Sequence, residues 1–161
     1  MVDPKFWGGD AWSFIHSLQI NFDQRFLANY IDILQLLTAI LPCQKCRANF
    51  EVDLQNIPTS TIKDEQSFIE WALKIHSAGN VALGRPPITS YNAEIAHKRI
   101  ANFLQIAYDE IVIDDNQDRL DALHMFRDAL RPIFPCLQCR EIFTGTNMLL
   151  RDMIAVMNAH V

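Results

Sequence analysis

The cysteines are the residues whose type and spacing could do chemistry. There are four, in two identical spacings: Cys43-Gln44-Lys45-Cys46 and Cys136-Leu137-Gln138-Cys139. Each pair follows a proline, Pro42 or Pro135. Proline disfavours helix in the residue before it, so each pair reads as the opening of a new helix. Residues three apart lie on one helix face, which lets the two sulfurs meet. At a helix N-terminus the macrodipole and the free N–H groups favour a thiolate. Arg47 and Arg140 add positive charge in sequence. A thiolate is both the attacking and the better leaving group in disulfide exchange, so the pattern suits a pair that is oxidised and reduced in turn. The competing chemistry is a structural zinc site in which the two pairs supply four thiolates. A separation of about ninety residues and a helical context argue against that set, and no metal is expected. No βαβ pattern surrounds either pair, which disfavours a thioredoxin-like fold.

Those cysteines need elements to position them, and the pattern is helical throughout. Asp10 is expected to cap a helix carrying Ala11, Phe14, Ile15 and Leu18 on its apolar face. A second helix is predicted over about residues 26–41, ended by Pro42, and a third runs from the first cysteine pair towards Leu54. The fourth spans roughly residues 64–82 and stops at Gly84-Arg85-Pro86-Pro87. Ser90 is expected to cap a fifth reaching about Tyr108. Asp114-Asp115-Asn116 is a polar break. It divides an expected domain, residues 1–110, from a helical extension, residues 111–161. The extension holds a helix near 117–131, the second cysteine pair and a last helix near 147–159. A weak repeat links the halves: residues 36–47 resemble residues 129–140, and Phe50 and Phe143 follow at similar distances.

Composition narrows the function. Half the residues are hydrophobic, enough to build a core without staples. The net charge is −5, with Lys and Arg scattered, which argues against nucleic-acid binding. No apolar run could span a bilayer, and the start Met1-Val2-Asp3-Pro4-Lys5 lacks a signal-peptide core. A cytoplasmic location is therefore expected. In a reducing compartment such cysteine pairs are more often redox-active or metal-binding than structural.

Further motifs carry a family resemblance. The segment Phe6-Trp7-Gly8-Gly9-Asp10-Ala11-Trp12-Ser13-Phe14-Ile15-His16 resembles the opening helix of the Erv/Alr sulfhydryl oxidases. Leu41-Pro42-Cys43-Gln44-Lys45-Cys46-Arg47 resembles their redox centre. Trp71 to Asn80 resembles their Trp…His-Asn-x-Val-Asn helix, with Ser77 at the first Asn and Gly79 at the Val. Leu83-Gly84-Arg85-Pro86 stands where the family has Leu-Gly-Lys-Pro. Order and spacing agree from about Phe6 to Phe103, and the short start is most similar to the versions of large DNA viruses.

The resemblance implies an all-α fold: a four-helix bundle with a short fifth helix, here with the C-terminal helical extension. It implies an FAD-dependent thiol oxidase that acts on dithiol protein substrates, uses O2 as acceptor and yields hydrogen peroxide. A homodimer is implied as well, in the host cytoplasm or virion for a viral chain. Carried over by position, Trp12, His16, His76, Asn80 and Arg85 are cofactor-binding candidates. Cys43 and Cys46 are the catalytic pair, with Cys46 facing the flavin and Cys43 taking the incoming exchange. Cys136 and Cys139 are candidates for a second disulfide that shuttles electrons, or for a structural one. From the residues alone, Trp12 with His16, and His76 with Asn80, each share a helix face and could flank a flat ligand; simple core roles for the tryptophans and histidines are the alternative. Two other readings of the chain stand beside the oxidase: a zinc-stapled helical adaptor, and a family-derived dimerisation scaffold without FAD.

Overall fold

Apolar side chains recur at helical spacing in every long segment, so each segment hides one stripe by lying against another. A computed structural model describes residues 2–160 and holds eight α-helices, with no strand among the described residues. They are α1 (Gly8–Ser17), α2 (Leu27–Ile40), α3 (Gln44–Asn56), α4 (Glu65–Ala82), α5 (His97–Asp114), α6 (Gln117–Leu130), α7 (Leu137–Gly145) and α8 (Leu150–Ala159). The all-helical expectation holds. The fifth helix, expected to be short, runs 18 residues.

The first five helices pack α1 on α4 and α5, and α3 on α2 and α4. The later helices join the same core: α6 lies along α2, and α8 along α5. Phe14 of α1 meets Phe103 of α5 at 5.7 Å and Phe126 of α6 at 5.9 Å, all three fully buried. Residues beyond the polar break thus share their hydrophobic interior with residues before it.

Local signals explain most boundaries. Asp64 caps α4 in a reciprocal box: its carboxylate accepts the Ser67 N–H at 2.8 Å, and Ser67 Oγ accepts the Asp64 N–H at 2.9 Å. Gly84 adopts φ +70°, the left-handed conformation that glycine reaches without a Cβ penalty, just past the end of α4. Asp115 is also left-handed, and Asn116 then caps α6 by accepting the Arg119 N–H at 3.1 Å.

Two expected caps are not formed. Asp10 lies inside the first turn of α1, which Trp7 precedes. Its carboxylate instead accepts from Arg99 Nε and Asn102 Nδ2 of α5, each at 2.7 Å. One charge-assisted bond from Arg99 and one from the Asn102 amide together outweigh one terminal N–H. Ser90 caps nothing, because residues 85–96 stay irregular and α5 starts at His97. There, Ser77 Oγ bonds both the C=O and the N–H of Ile88, at 3.0 Å each, which fastens that strap to α4.

Phe126→Ala removes a fully buried ring shared between the two segments of the chain. It should cost about 3–5 kcal/mol in denaturant unfolding. The transition should stay single by both circular dichroism and tryptophan fluorescence, although the tryptophans lie in α1, α4 and the turn before α1; separate transitions would mean that α6 is not part of one cooperative unit.

Candidate functional site

The turn before α3 is shaped by Leu41-Pro42-Cys43. Leu41 ends α2 in an extended conformation, and Cys43 takes the N-cap of α3. The Cys46 N–H points at Cys43 Sγ, 3.2 Å away. Cys43 and Cys46 are joined as a disulfide with Cα atoms 5.0 Å apart. Cys43 is buried and Cys46 half-buried. Arg47 does not turn to the sulfurs: its guanidinium donates to the Leu41 carbonyl at 2.7 Å. From the extension, Arg119 donates to the Ala39 carbonyl at 3.0 Å and pairs with Asp114 at 2.9 Å. Beside this turn opens a cleft of about 180 Å³, with Pro42, Gln44 and Arg47 on one side and Glu110, Asp114 and Arg119 on the other.

The second cluster lies between α1 and α4. His16 Nε2 and His76 Nδ1 are 2.9 Å apart, so one ring N–H donates to the other ring's nitrogen. Both rings are buried. Burial pushes His76 down to about 4. Burial, and then the neighbouring His76, does the same to His16. Both imidazoles are therefore neutral at physiological pH, and the shared hydrogen bond joins one ring's N–H to the other's lone pair. Trp12 stacks flat on His76, with ring centres 4.2 Å apart and planes 8° from parallel. Tyr91, carried by the irregular strap, stacks on His16 at 3.8 Å and 9°.

Gly79 explains how Trp12 comes so close. A Cβ there would lie 3.0 Å from a Trp12 ring carbon, so the residue that departs from the Erv/Alr pattern is the one that admits the indole. Asn80 Nδ2 donates to the Pro86 carbonyl at 3.2 Å, and its own carbonyl accepts the Arg85 N–H at 2.8 Å. The Arg85 side chain is exposed.

Of the five expected cofactor residues, the structure brings Trp12, His16 and His76 into one cluster, with Trp12 stacked on His76 and His16 tilted to both. It puts Asn80 at the end of the same helix and leaves Arg85 free at the surface. In this structure the faces of Trp12 and His76, and of Tyr91 and His16, lie on each other, so a planar heteroaromatic group such as a flavin would use these rings only by parting them. Tyr91 covers the outer face of His16.

Cys136 and Cys139 open α7 in the same local form. Cys136 is the N-cap, and the Cys139 N–H points at its Sγ, 3.3 Å away. Arg140 donates to the Phe134 carbonyl at 2.9 Å, as Arg47 does to Leu41. Here both thiols are free and buried. Burial, and then the Cys136 sulfur, pushes the Cys139 thiol up to about 12. The four-cysteine zinc set is not assembled, since Cys43 and Cys46 are joined to each other and two histidines, His97 and His160, surround Cys136 and Cys139. Sequence reasoning missed both histidines: His160 stands 21 residues past Cys139, outside any familiar ligand spacing.

A helical bundle that carries a disulfide at one helix start and, between two other helices, a buried aromatic–histidine cluster has the parts of a helical thiol–disulfide protein. The family model of the Erv1 / Alr family matches residues 10–100. The chain belongs to that family. It is also similar to a protein of Acanthamoeba polyphaga mimivirus described as a probable FAD-linked sulfhydryl oxidase, at 26% identity over 94 residues. That alignment covers 55% of this chain and 66% of the relative, just short of two thirds of it. No solved structure matches significantly. No described helix is long and apolar enough to cross a membrane.

Gly79→Val should push Trp12 off His76 and cost about 1–3 kcal/mol in unfolding experiments. The histidine pair also sets a pH dependence. Each ring's folded pKa, about 4, lies below its ordinary 6.5, so the unfolded chain binds more protons between those values. Their contribution to stability is complete above pH 6.5 and is lost as pH falls towards 4. The melting temperature should therefore drop across that window, and drop less in His16→Gln; an equal drop in that variant would assign the effect to other groups.

Proposed function

We propose that the chain is an FAD-linked thiol oxidase that forms disulfides in dithiol protein substrates. The observation that carries this reading is the Cys43–Cys46 disulfide at the start of α3, in a chain whose residues 10–100 belong to the Erv1 / Alr family. The mimivirus relative's description supports the cofactor.

Within this reading, a substrate thiolate attacks Cys43 Sγ. The Cys43–Cys46 bond breaks, and Cys46 leaves as a thiolate at the helix N-terminus, where the macrodipole stabilises it. The second substrate thiol, giving up its proton, then attacks the substrate sulfur of the mixed disulfide and expels Cys43. The Cys46 N–H, directed at Cys43 Sγ, stabilises the Cys43 thiolate as it leaves. The substrate ends as a disulfide, oxidised by two electrons, and the Cys43/Cys46 pair ends reduced by two. Trp12, His16 and His76 would hold the flat part of the cofactor, with Asn80 and Arg85 at its edge. The neutrality of both imidazoles lets them give and accept hydrogen bonds there without adding charge. The chemistry supplied by FAD when bound is acceptance of the electron pair and its delivery to dioxygen as hydrogen peroxide. The assignment of Cys46 to the cofactor side and of Cys43 to the incoming exchange rests on the family resemblance. A homodimer in the host cytoplasm or virion completes the reading and rests on the family resemblance alone.

The purified protein should be yellow. Its flavin absorption should bleach on adding a dithiol under argon and return in air. Cys43→Ser and Cys46→Ser should each lower dithiol-dependent oxygen uptake on the order of a thousandfold or more. A colourless protein that takes up no flavin, or full turnover by Cys46→Ser, would sink the reading.

A further inference from the structure

We propose that Cys136, Cys139, His97 and His160 form a zinc site that pins the C-terminal helices to α5. One ligand atom from each of the four residues lies within 4.8 Å of every other. His160 places its ring nitrogens 3.7 Å from Cys136 Sγ and 3.9 Å from Cys139 Sγ. The His97 and His160 rings lie 4.5 Å apart. A tetrahedral zinc with two sulfurs at about 2.3 Å and two nitrogens at about 2.0–2.1 Å would hold its ligand atoms about 3.3–3.8 Å apart. Rotamer adjustments of less than about 2 Å would bring the four atoms to that spacing.

Two independent observations point to a ligand here. His97 Nε2 is buried and has no hydrogen-bond partner, the kind of orphaned group that folded proteins avoid unless something else satisfies it. A lone-pair nitrogen beside two sulfurs is satisfied by a metal ion. Second, Cys136 and Cys139 share the backbone form of the Cys43/Cys46 turn, with the same sulfur-directed N–H and the same arginine fold-back, yet they remain free thiols. What differs is the company. Two histidines from distant helix ends converge on the second pair, whereas disulfide exchange requires neither. These features favour a metal over the electron-shuttling disulfide that the spacing first suggested.

The choice of metal follows from the ligands. Two cysteines and two histidines in a closed set are the ligand types of structural zinc. Binding releases one proton from each thiol and changes no oxidation state. Two thiolates and two neutral imidazoles around a divalent ion leave the buried centre without net charge. The ligands come from three places: His97 at the first residue of α5, the cysteines at the start of α7, and His160 as the C-cap of α8. The ion would therefore close a long loop of chain and fix the end of the strap that carries Tyr91. The site is separate from Cys43 and Cys46, so the inference stands whether or not the oxidase reading does.

The test is the metal content of the full chain, produced in zinc-supplemented medium and purified without chelator, with and without Cys139→Ser and His97→Ala. The expected result is about one zinc per chain in the wild type, as for a four-ligand structural site, and background levels in Cys139→Ser. Protein produced in cobalt medium should show the thiolate-to-metal absorption of a tetrahedral site, a readout on the wild type that does not depend on either variant folding. Chelation should lower the melting temperature of the wild type, since the ion binds the folded chain. The proposal is overturned by wild-type protein with less than about a tenth of an equivalent of zinc and no cobalt–thiolate bands. It is equally overturned by Cys136–Cys139 recovered as a disulfide in non-reducing peptide maps, or by zinc retained in full in both variants.

Discussion

The capping of the α2–α3 junction is the interaction on which the rest of the structure depends. To put a sulfur at a helix N-terminus, the chain must leave α2 and start α3 within three residues. That strands the last carbonyls of α2 near the core, where an unpaired C=O is costly. Arg47 closes the Leu41 carbonyl and Arg119 the Ala39 carbonyl. The first comes from the helix that follows, the second from beyond the polar break. The extension is thereby built into the redox turn: its arginine holds the carbonyls, and its α6 covers α2. An arginine suits this role, because its fork can serve a backbone carbonyl and the Asp114 carboxylate together.

Between α1 and α4, in contrast, electrostatics are kept quiet. The two buried histidines share one hydrogen bond and stay uncharged, so α1 and α4 can meet without burying a cation. Flat stacking on both sides, Trp12 on His76 and Tyr91 on His16, fixes the ring planes. The close approach of α1 and α4 at this point requires a residue without a side chain at Gly79. Ser77, the other departure from the family pattern, ties down the strap that brings Tyr91. Both substitutions thus have structural work in this chain.

The two Cys-x-x-Cys turns show how little of a cysteine pair's chemistry is local. Their caps, their sulfur-directed N–H groups and their arginine fold-backs correspond. One pair is closed on itself beside a cleft. The other is open, buried and faced by two histidines. Helix-start geometry presents the two sulfurs alike in both cases; the residues delivered by other helices decide between exchange and coordination.

The sequence by itself determined the helices, their main boundaries and the two cysteine turns, because these depend on periodicity, proline and capping within a few residues. It also held the Trp12–His16 and His76–Asn80 faces, since four-residue spacing is a property of any helix. The tertiary structure decided what those faces meet. Asp10 is drawn from a cap to Arg99 and Asn102 because α5 lies beside α1. Ser90 starts no helix: the strap stays irregular to Ala96, with Ile88 bonded to Ser77 and Tyr91 stacked on His16. His97 and His160 reach Cys136 and Cys139 only because α8 packs along α5, a long-range contact driven by non-directional apolar burial that no local spacing encodes.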